Sequence, residues 1–242
     1  MASATSGQIR DADLSRFMNL PKIGTLREGS LHADLKRHYL QPGDDAEIPF
    51  GSFVIDVVRR PGSEHERLIE IQTGSFAAMG RKLDHLLESH DVLVVHPISV
   101  RTVLVRGERR RVSPKRGDVW SLLDELVSVP TLLDHPRFEM DVVFAETSTI
   151  QQHDETLRRG RGGWRTIDRV LDRIVEVRRF RSMADIAALA GPRLSPGFTT
   201  ADLAEAAQTR RQSAQKLAYC LAAAGCIEMV GRSKSGKHYR WV

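Results

Sequence analysis

The chain has 242 residues, 41% of them hydrophobic and 28% charged, a balance typical of soluble globular proteins with room for one large core or two ordinary ones. Its net charge of +5 and pI of about 9.5 come mostly from arginine and point to a polyanionic partner. The sequence has no apolar run near the roughly 20 residues of a membrane span, no apolar signal-peptide centre, and only Cys220 and Cys226, too few for a disulfide framework; a cytoplasmic, nucleoid-associated protein with no membrane partner is expected.

Residues 1–20 read as an N-terminal tail, its first residues small and polar. Leu31, Leu35 and Tyr39 recur at helical spacing and predict a helix over 28–39, opened by a capping box between Thr25 and Glu28. The breaker Gln41-Pro42-Gly43 follows. Short strands are predicted around 47–49, over 51–59 and over 68–73, the last two joined by a charged turn at 60–67. Phe76, Met79, Leu83, Leu86 and Leu87 place a helical stripe on 76–90. Residues 91–98 form a nearly continuous apolar strand, as in a sheet covered on both faces. A further strand at 101–106, a helix over 119–133 and a strand over 140–146 complete this part.

A basic, glycine-rich stretch at 158–163 comes next. Ile167, Val170, Leu171 and Ile174 then lie on one stripe and predict an amphipathic helix over 166–177. A second helix is expected over 183–189 and a connector at 191–197. The remainder reads as a helix from 198 with a threonine at its N-cap, a break at Gln208-Thr209, a helix over 211–223 stopped by Gly225, and strands over 227–230 and 237–242 around a basic turn. There is no internal repeat.

The chemistry concentrates on the central hairpin. Asp56 and Glu70 each interrupt an apolar strand, and Gln72 leaves the same strand face as Glu70. Such a face can gather the hard oxygen ligands that magnesium or manganese prefers, or it can simply be a solvated sheet edge. Glu28, His32 and Lys36 share one helix face at i, i+4 and i+8. His32 titrates near neutrality and is a candidate acid or base, although such a histidine more often packs or hydrogen-bonds. The remaining histidines form no HExxH or paired spacing, so zinc is not expected. No phosphate-binding G-x-x-x-x-G-K-[ST] loop and no G-x-S-x-G elbow is present.

Over residues 25–100, the order of helix, three strands with acids on the second and third, helix and strand resembles the PD-(D/E)XK nuclease superfamily. The segments EGSLHADLKRHY, IEIQTGSF and RRVSPKRG are also similar to those of a bacterial family of uncharacterised nuclease-like proteins. The resemblance implies an α/β fold with an αβββαβ core and a mixed sheet. It further implies Mg²⁺ or Mn²⁺ held by Asp56, Glu70 and Glu28, the last as ligand or outer-shell base. The superfamily's lysine two positions past the glutamate is Gln72 here. Members that use glutamine, or carry the lysine on a neighbouring helix, make Gln72, Lys82 and Lys36 the catalytic candidates for orienting water and phosphate.

The C-terminal helix-turn-helix and basic hairpin resemble a winged helix, whose second helix enters the major groove. That resemblance places Arg210, Arg211, Gln212, Gln215 and Lys216 on DNA, with Arg232, Lys234 and Lys237 on phosphates. Arg158, Arg159 and Arg161 read either as a phosphate clamp or as a solvated linker. The expected organisation is a tail (1–20), a nuclease-like core (21–154), a basic helical connector (155–194) and a winged-helix DNA-binding domain (195–242). The expected activity is metal-dependent DNA endonucleolysis in repair or defence, with a homodimer allowed. Its alternatives are a non-catalytic DNA-binding regulator on a degenerate nuclease fold and an RNA-directed nuclease.

Overall fold

Alternating and apolar runs in the first three quarters of the chain build a single sheet. The computed structural model describes residues 28–156, 163–191, 193–234 and 236–242. The tail, the Thr25 cap and Arg158, Arg159 and Arg161 fall outside them. The architecture is mixed α/β, with a seven-stranded sheet of β1 (Asp45–Phe50), β2 (Phe53–Arg59), β3 (Arg67–Ile71), β4 (Asp91–Arg106), β5 (Arg109–Val112), β6 (Phe138–His153) and β7 (Trp164–Phe180). The strand order is β1-β2-β3-β4-β6-β7, with β5 paired to β4. Strands β3, β4 and β6 run parallel, and the other pairs are antiparallel.

Helix α1 (Ser30–Tyr39) covers one face, with Leu31 and Leu35 packed on Val57, Ile69, Leu93 and Val143. Burial of a leucine such as Leu35 contributes about 1.5–3 kcal/mol. Gly29 is the helix N-cap, and Asp168 of β7 receives the Ser30 N–H at 3.1 Å as well as the Ser30 hydroxyl. The opposite face is covered by a 3-10 turn (Phe76–Met79), α2 (Gly80–Leu87) and α3 (Leu123–Leu126). The single helix expected over 119–133 is instead two 3-10 turns flanking α3, because Pro130 cannot continue a helix through that stretch.

Strand β4 is one unit of 16 residues rather than two strands, with a bulge between Ser99 and Arg101. Its pairing with β3 ends at Val95, and its pairing with β5 begins at Val103. Along the edge between them, Pro97 costs no ladder bond, since alternation turns its missing N–H toward the side where β3 has ended. Residues 113–117 lie against this gap. Ser113 N–H donates to Thr102 O and Gly117 N–H to Ser99 O, both at 2.8 Å. A Cβ on Gly117 would sit 2.5 Å from Ile98 Cγ2 and 2.9 Å from Ser99 O, so only glycine lets the loop approach this closely.

The helix expected over 166–177 is not a helix. It is part of β7, a 17-residue strand antiparallel to β6. Three register shifts, each skipping one β7 residue (Ile167, Asp172 and Val175), interrupt the pairing. A bulge moves the next side chain to the other face, so the inward Leu171 and Ile174 end up three residues apart, a spacing that imitates a helical stripe. The β-branched Thr166, Ile167, Val170, Ile174, Val175 and Val177 favour the strand. The basic helical connector of the sequence reading is therefore, over 164–180, an integral sheet strand.

After β7 come α4 (Met183–Ala188), α5 (Thr200–Ala206), α6 (Arg211–Ala223) and a hairpin of β8 (Ile227–Ser233) and β9 (Gly236–Trp241). Thr199 caps α5 in a box with Asp202. Phe198 bridges Tyr239, tying the entry of α5 to the hairpin. Leu217 and Leu221 of α6 join the same buried cluster as Leu126 and Met183, so this module and the sheet share one core. Among the described residues, no helix is long and apolar enough to cross a membrane. Gly117→Ala should lower the unfolding free energy by about 1–3 kcal/mol, since the added methyl meets backbone that cannot yield freely; denaturant unfolding monitored by tryptophan fluorescence reads this directly.

Candidate active site

The last rung between β2 and β3 is Val57 with Ile69. Beyond it the strands part, and the Asp56 carboxylate takes the place of a rung by accepting the Ile71 N–H at 2.8 Å through Oδ2. The same oxygen lies 3.2 Å from His32 Nε2. On its other side, the His32 ring contacts Glu28 through Nδ1. Glu28, His32 and Asp56 offer ligand atoms all within 4.8 Å of one another. Lys36, one turn further along α1, donates to Glu28 at 2.8 Å and to Glu47 at 2.7 Å.

Glu70 is turned to the opposite side of the sheet, toward α2. It is buried at 5% exposure, with Oε2 2.5 Å from Lys82 Nζ and Oε1 lacking any hydrogen-bond partner. Lys82 Nζ also donates to Val54 O at 2.6 Å, so this lysine spans the gap between β2 and β3. Gln72 is directed elsewhere, its Nε2 donating to Ser75 O at 2.7 Å. The ligand trio read from sequence is thus divided. Asp56 and Glu28 meet through His32, Glu70 pairs with Lys82, and the Gln72 amide donor is committed to backbone.

Burial and charge oppose each other throughout. For His32, burial works against the imidazolium, but the hydrogen bonds and charges of Asp56 and Glu28 outweigh it and hold the pKa above its usual value. Burial opposes the Asp56 carboxylate too, yet His32, the Ile71 N–H and the Lys82 charge hold its pKa low. Glu28 is likewise held low, with Lys36 and His32 prevailing over burial. For Glu70 the balance reverses. Burial, aided by the Asp56 charge, exceeds the pull of Lys82 and raises its pKa to about 7. The ion-pair geometry alone suggests a low value, and the loss of solvation is the larger effect.

The sequence profile of a family described as "Domain of unknown function (DUF8091)" matches residues 29–181. The chain belongs to this family. An "Uncharacterized protein" of Treponema pallidum (strain Nichols) is 30% identical over 192 residues, which cover 76% of this chain and 74% of the relative. That alignment is longer than the DUF8091 segment, so the likeness extends past it. No solved structure matches.

The DUF8091 segment ends just after β7, and the remaining predicted contact residues lie outside it. Arg210, Arg211, Gln212 and Gln215 are exposed on α6 or its cap, beside the exposed Tyr219. Arg232, Lys234 and Lys237 are exposed on the hairpin. Lys216, expected to face DNA, instead pairs with Asp124 of α3 at 2.5 Å, because its side of α6 packs toward the DUF8091 segment. His96 was passed over among the histidines. It is buried in β4 with its pKa lowered by burial, and its Nδ1 sits 2.8 Å from Gln72 O; its sequence signal was a histidine within an apolar strand.

The Glu70 environment gives a sign that can be checked. Between its unfolded value near 4.5 and its folded value of about 7, the folded chain holds a proton that the unfolded chain has released. Stability from this group is therefore present below pH 4.5 and lost as pH rises through 7. Relative to Glu70→Gln, the wild type should lose about 2–3 kcal/mol across that window, measured by denaturant unfolding at a series of pH values.

Proposed function

We propose that this protein is a divalent-metal-dependent DNA endonuclease of the PD-(D/E)XK type. The observation that carries the reading is the position of Lys82. Its ammonium lies on Glu70 and bridges β2 to β3, beside Asp56, so a helix-borne cation stands near the glutamate where Gln72 withholds one.

The donor set fits Mg²⁺ or Mn²⁺. Asp56 and Glu28 bring carboxylate oxygens within 4.8 Å of one another around His32, and the Glu70 Oε1 without a partner is the kind of buried atom that a water completes. Asp56 and Glu28 would hold the ion, which when bound supplies charge to a phosphodiester and lowers the pKa of a water, while Glu70, on the other side of the sheet, would keep Lys82 in place. Lys82 positions Glu70 and offers positive charge to a phosphate oxygen. Because the carboxylates that would hold the ion now hold the His32 ring, protonation of His32 opposes ion binding. His32 is also placed to take a proton once neutral.

The helix, helix and hairpin after β7 resemble a winged helix, and Arg211, Gln212, Gln215, Arg232, Lys234 and Lys237 would deliver DNA through groove and phosphate contacts. A role in repair or defence accords with such an activity. One observation favours the second reading, a non-catalytic DNA-binding regulator: the donors of Gln72 and Lys82 are both already committed within the fold.

Incubation of the full chain with plasmid, single-stranded and branched DNA, and with RNA, in Mg²⁺, Mn²⁺ or EDTA separates the readings. Metal-dependent DNA cleavage that falls to background in both Asp56→Ala and Glu70→Ala is expected. DNA binding without cleavage of any substrate in either metal would leave the regulator, and cleavage confined to RNA would move the substrate.

A further inference from the structure

The edge of β4 left uncovered between β3 and β5 floors a cleft of about 750 Å³. A smaller hollow of about 240 Å³ opens at His32 and shares Thr73, Thr166 and Arg169 with it. The two adjoin there, and together they reach from His32 to the loop at 113–117. That loop belongs to the RRVSPKRG segment, which the catalytic reading leaves without a role.

The charge of the larger cleft is not balanced. Lys115, Arg106 and Arg169 line the larger cleft together with Asp124 and Glu125. Both acids are occupied, Asp124 by Lys216 at 2.5 Å and Glu125 by the Phe76 N–H at 2.9 Å. Arg106 is held by Gln151 at 2.9 Å and stacks over Trp164 at 4.5 Å. Among the described residues, the Lys115 ammonium and the Arg169 guanidinium have no ion-pair or hydrogen-bond partner, only their backbone N–H groups being engaged. Two free cations therefore face a cleft in which Asp124 is neutralised by Lys216 and Glu125 is the one acid without a cation among the described residues.

The walls suit a sugar-phosphate chain. Thr102, Thr149 and Thr166 supply neutral hydroxyls of the kind that contact backbone without reading bases. Lys115 stands on a loop fixed to β4 by the Ser113 and Gly117 bonds, so little backbone freedom is lost when it meets an anion. The volume falls in the range of about 300–1,000 Å³ that encloses a small ligand, enough for a short length of one strand and too small to enclose a duplex. We propose that this cleft binds a single strand of nucleic acid, with phosphates on Lys115 and Arg169 and the strand led toward His32. Its end point at His32 rests on the nuclease reading; the binding itself does not.

The test is fluorescence anisotropy of a labelled oligothymidylate, and of a duplex of the same length, with the full chain in EDTA across a salt series. Lys115→Ala/Arg169→Ala should weaken single-strand binding roughly tenfold or more and reduce the slope of log K against log salt by about 1.4, two contacts at about 0.7 each. Duplex binding should be little changed. Arg232→Ala/Lys234→Ala/Lys237→Ala serves as the comparator and should weaken the duplex instead. Circular dichroism and thermal unfolding verify that both variants fold. No binding of the oligothymidylate by wild type, unchanged single-strand affinity in the Lys115/Arg169 variant, or equal loss for duplex and single strand would each overturn the proposal. EDTA keeps the result apart from catalysis: a chain that binds the strand through these two residues and never cuts retains the cleft and loses the nuclease.

Discussion

The hydrogen bond from the Ile71 N–H to Asp56 fixes where the sheet opens. Up to Val57 and Ile69, β2 and β3 are joined by backbone, and past that point only side chains hold them. A buried N–H left by a departing strand must find an acceptor, and Asp56 provides it without closing the gap. The same carboxylate oxygen reaches His32, so α1 is registered against both strands by one atom. On the α2 side, Lys82 spans the parting strands from Glu70 to the Val54 carbonyl. The opening is thus braced from both faces of the sheet.

Charge is partitioned across those two faces. The α1 side carries an alternating series, Asp56, His32, Glu28, Lys36 and Glu47, in which every acid touches a base. The α2 side carries one buried carboxylate whose solvation loss outweighs its lysine. Such a division places a titratable group near neutrality next to carboxylates held well ionised, a pattern more common at functional sites than elsewhere. The nuclease reading draws on that pattern; the fold does not need it.

Much of the first hundred residues was legible because each element kept one clean period. The α1 stripe, the alternation in β3 and the apolar run of β4 each announce a strand or helix covered on known faces. Asp56 and Glu70 stood out for the same reason, as polar breaks in apolar strands. Lys82 was legible as a candidate, since a helix following β3 must pass back over it. The failures share a cause as well. In β7 the bulges reset the strand's parity, so local spacing pointed to a helix while pairing with β6 enforced a strand. The parting of Glu70 from Glu28 depends on which face each side chain takes at the end of a ladder, and no sequence spacing encodes that. The pairing of Lys216 with Asp124, 92 positions away, is likewise a contact that no local spacing encodes.

The core shared by the sheet and the C-terminal module changes what counts as an autonomous unit. Leu126 and Leu133 beneath the sheet belong to the same buried cluster as Met183, Ile186 and Leu217, and Met183 N–H donates to Asp134 at 2.9 Å. A chain ended at Arg181, where the family segment stops, would keep every strand of the large sheet and lay bare the apolar undersurface of α3. Patches of that kind drive association. In this chain the last quarter therefore serves as a cover for the sheet before it, and a change to one of its inward-facing residues disturbs the packing of both parts, whereas a change to an outward-facing one disturbs neither.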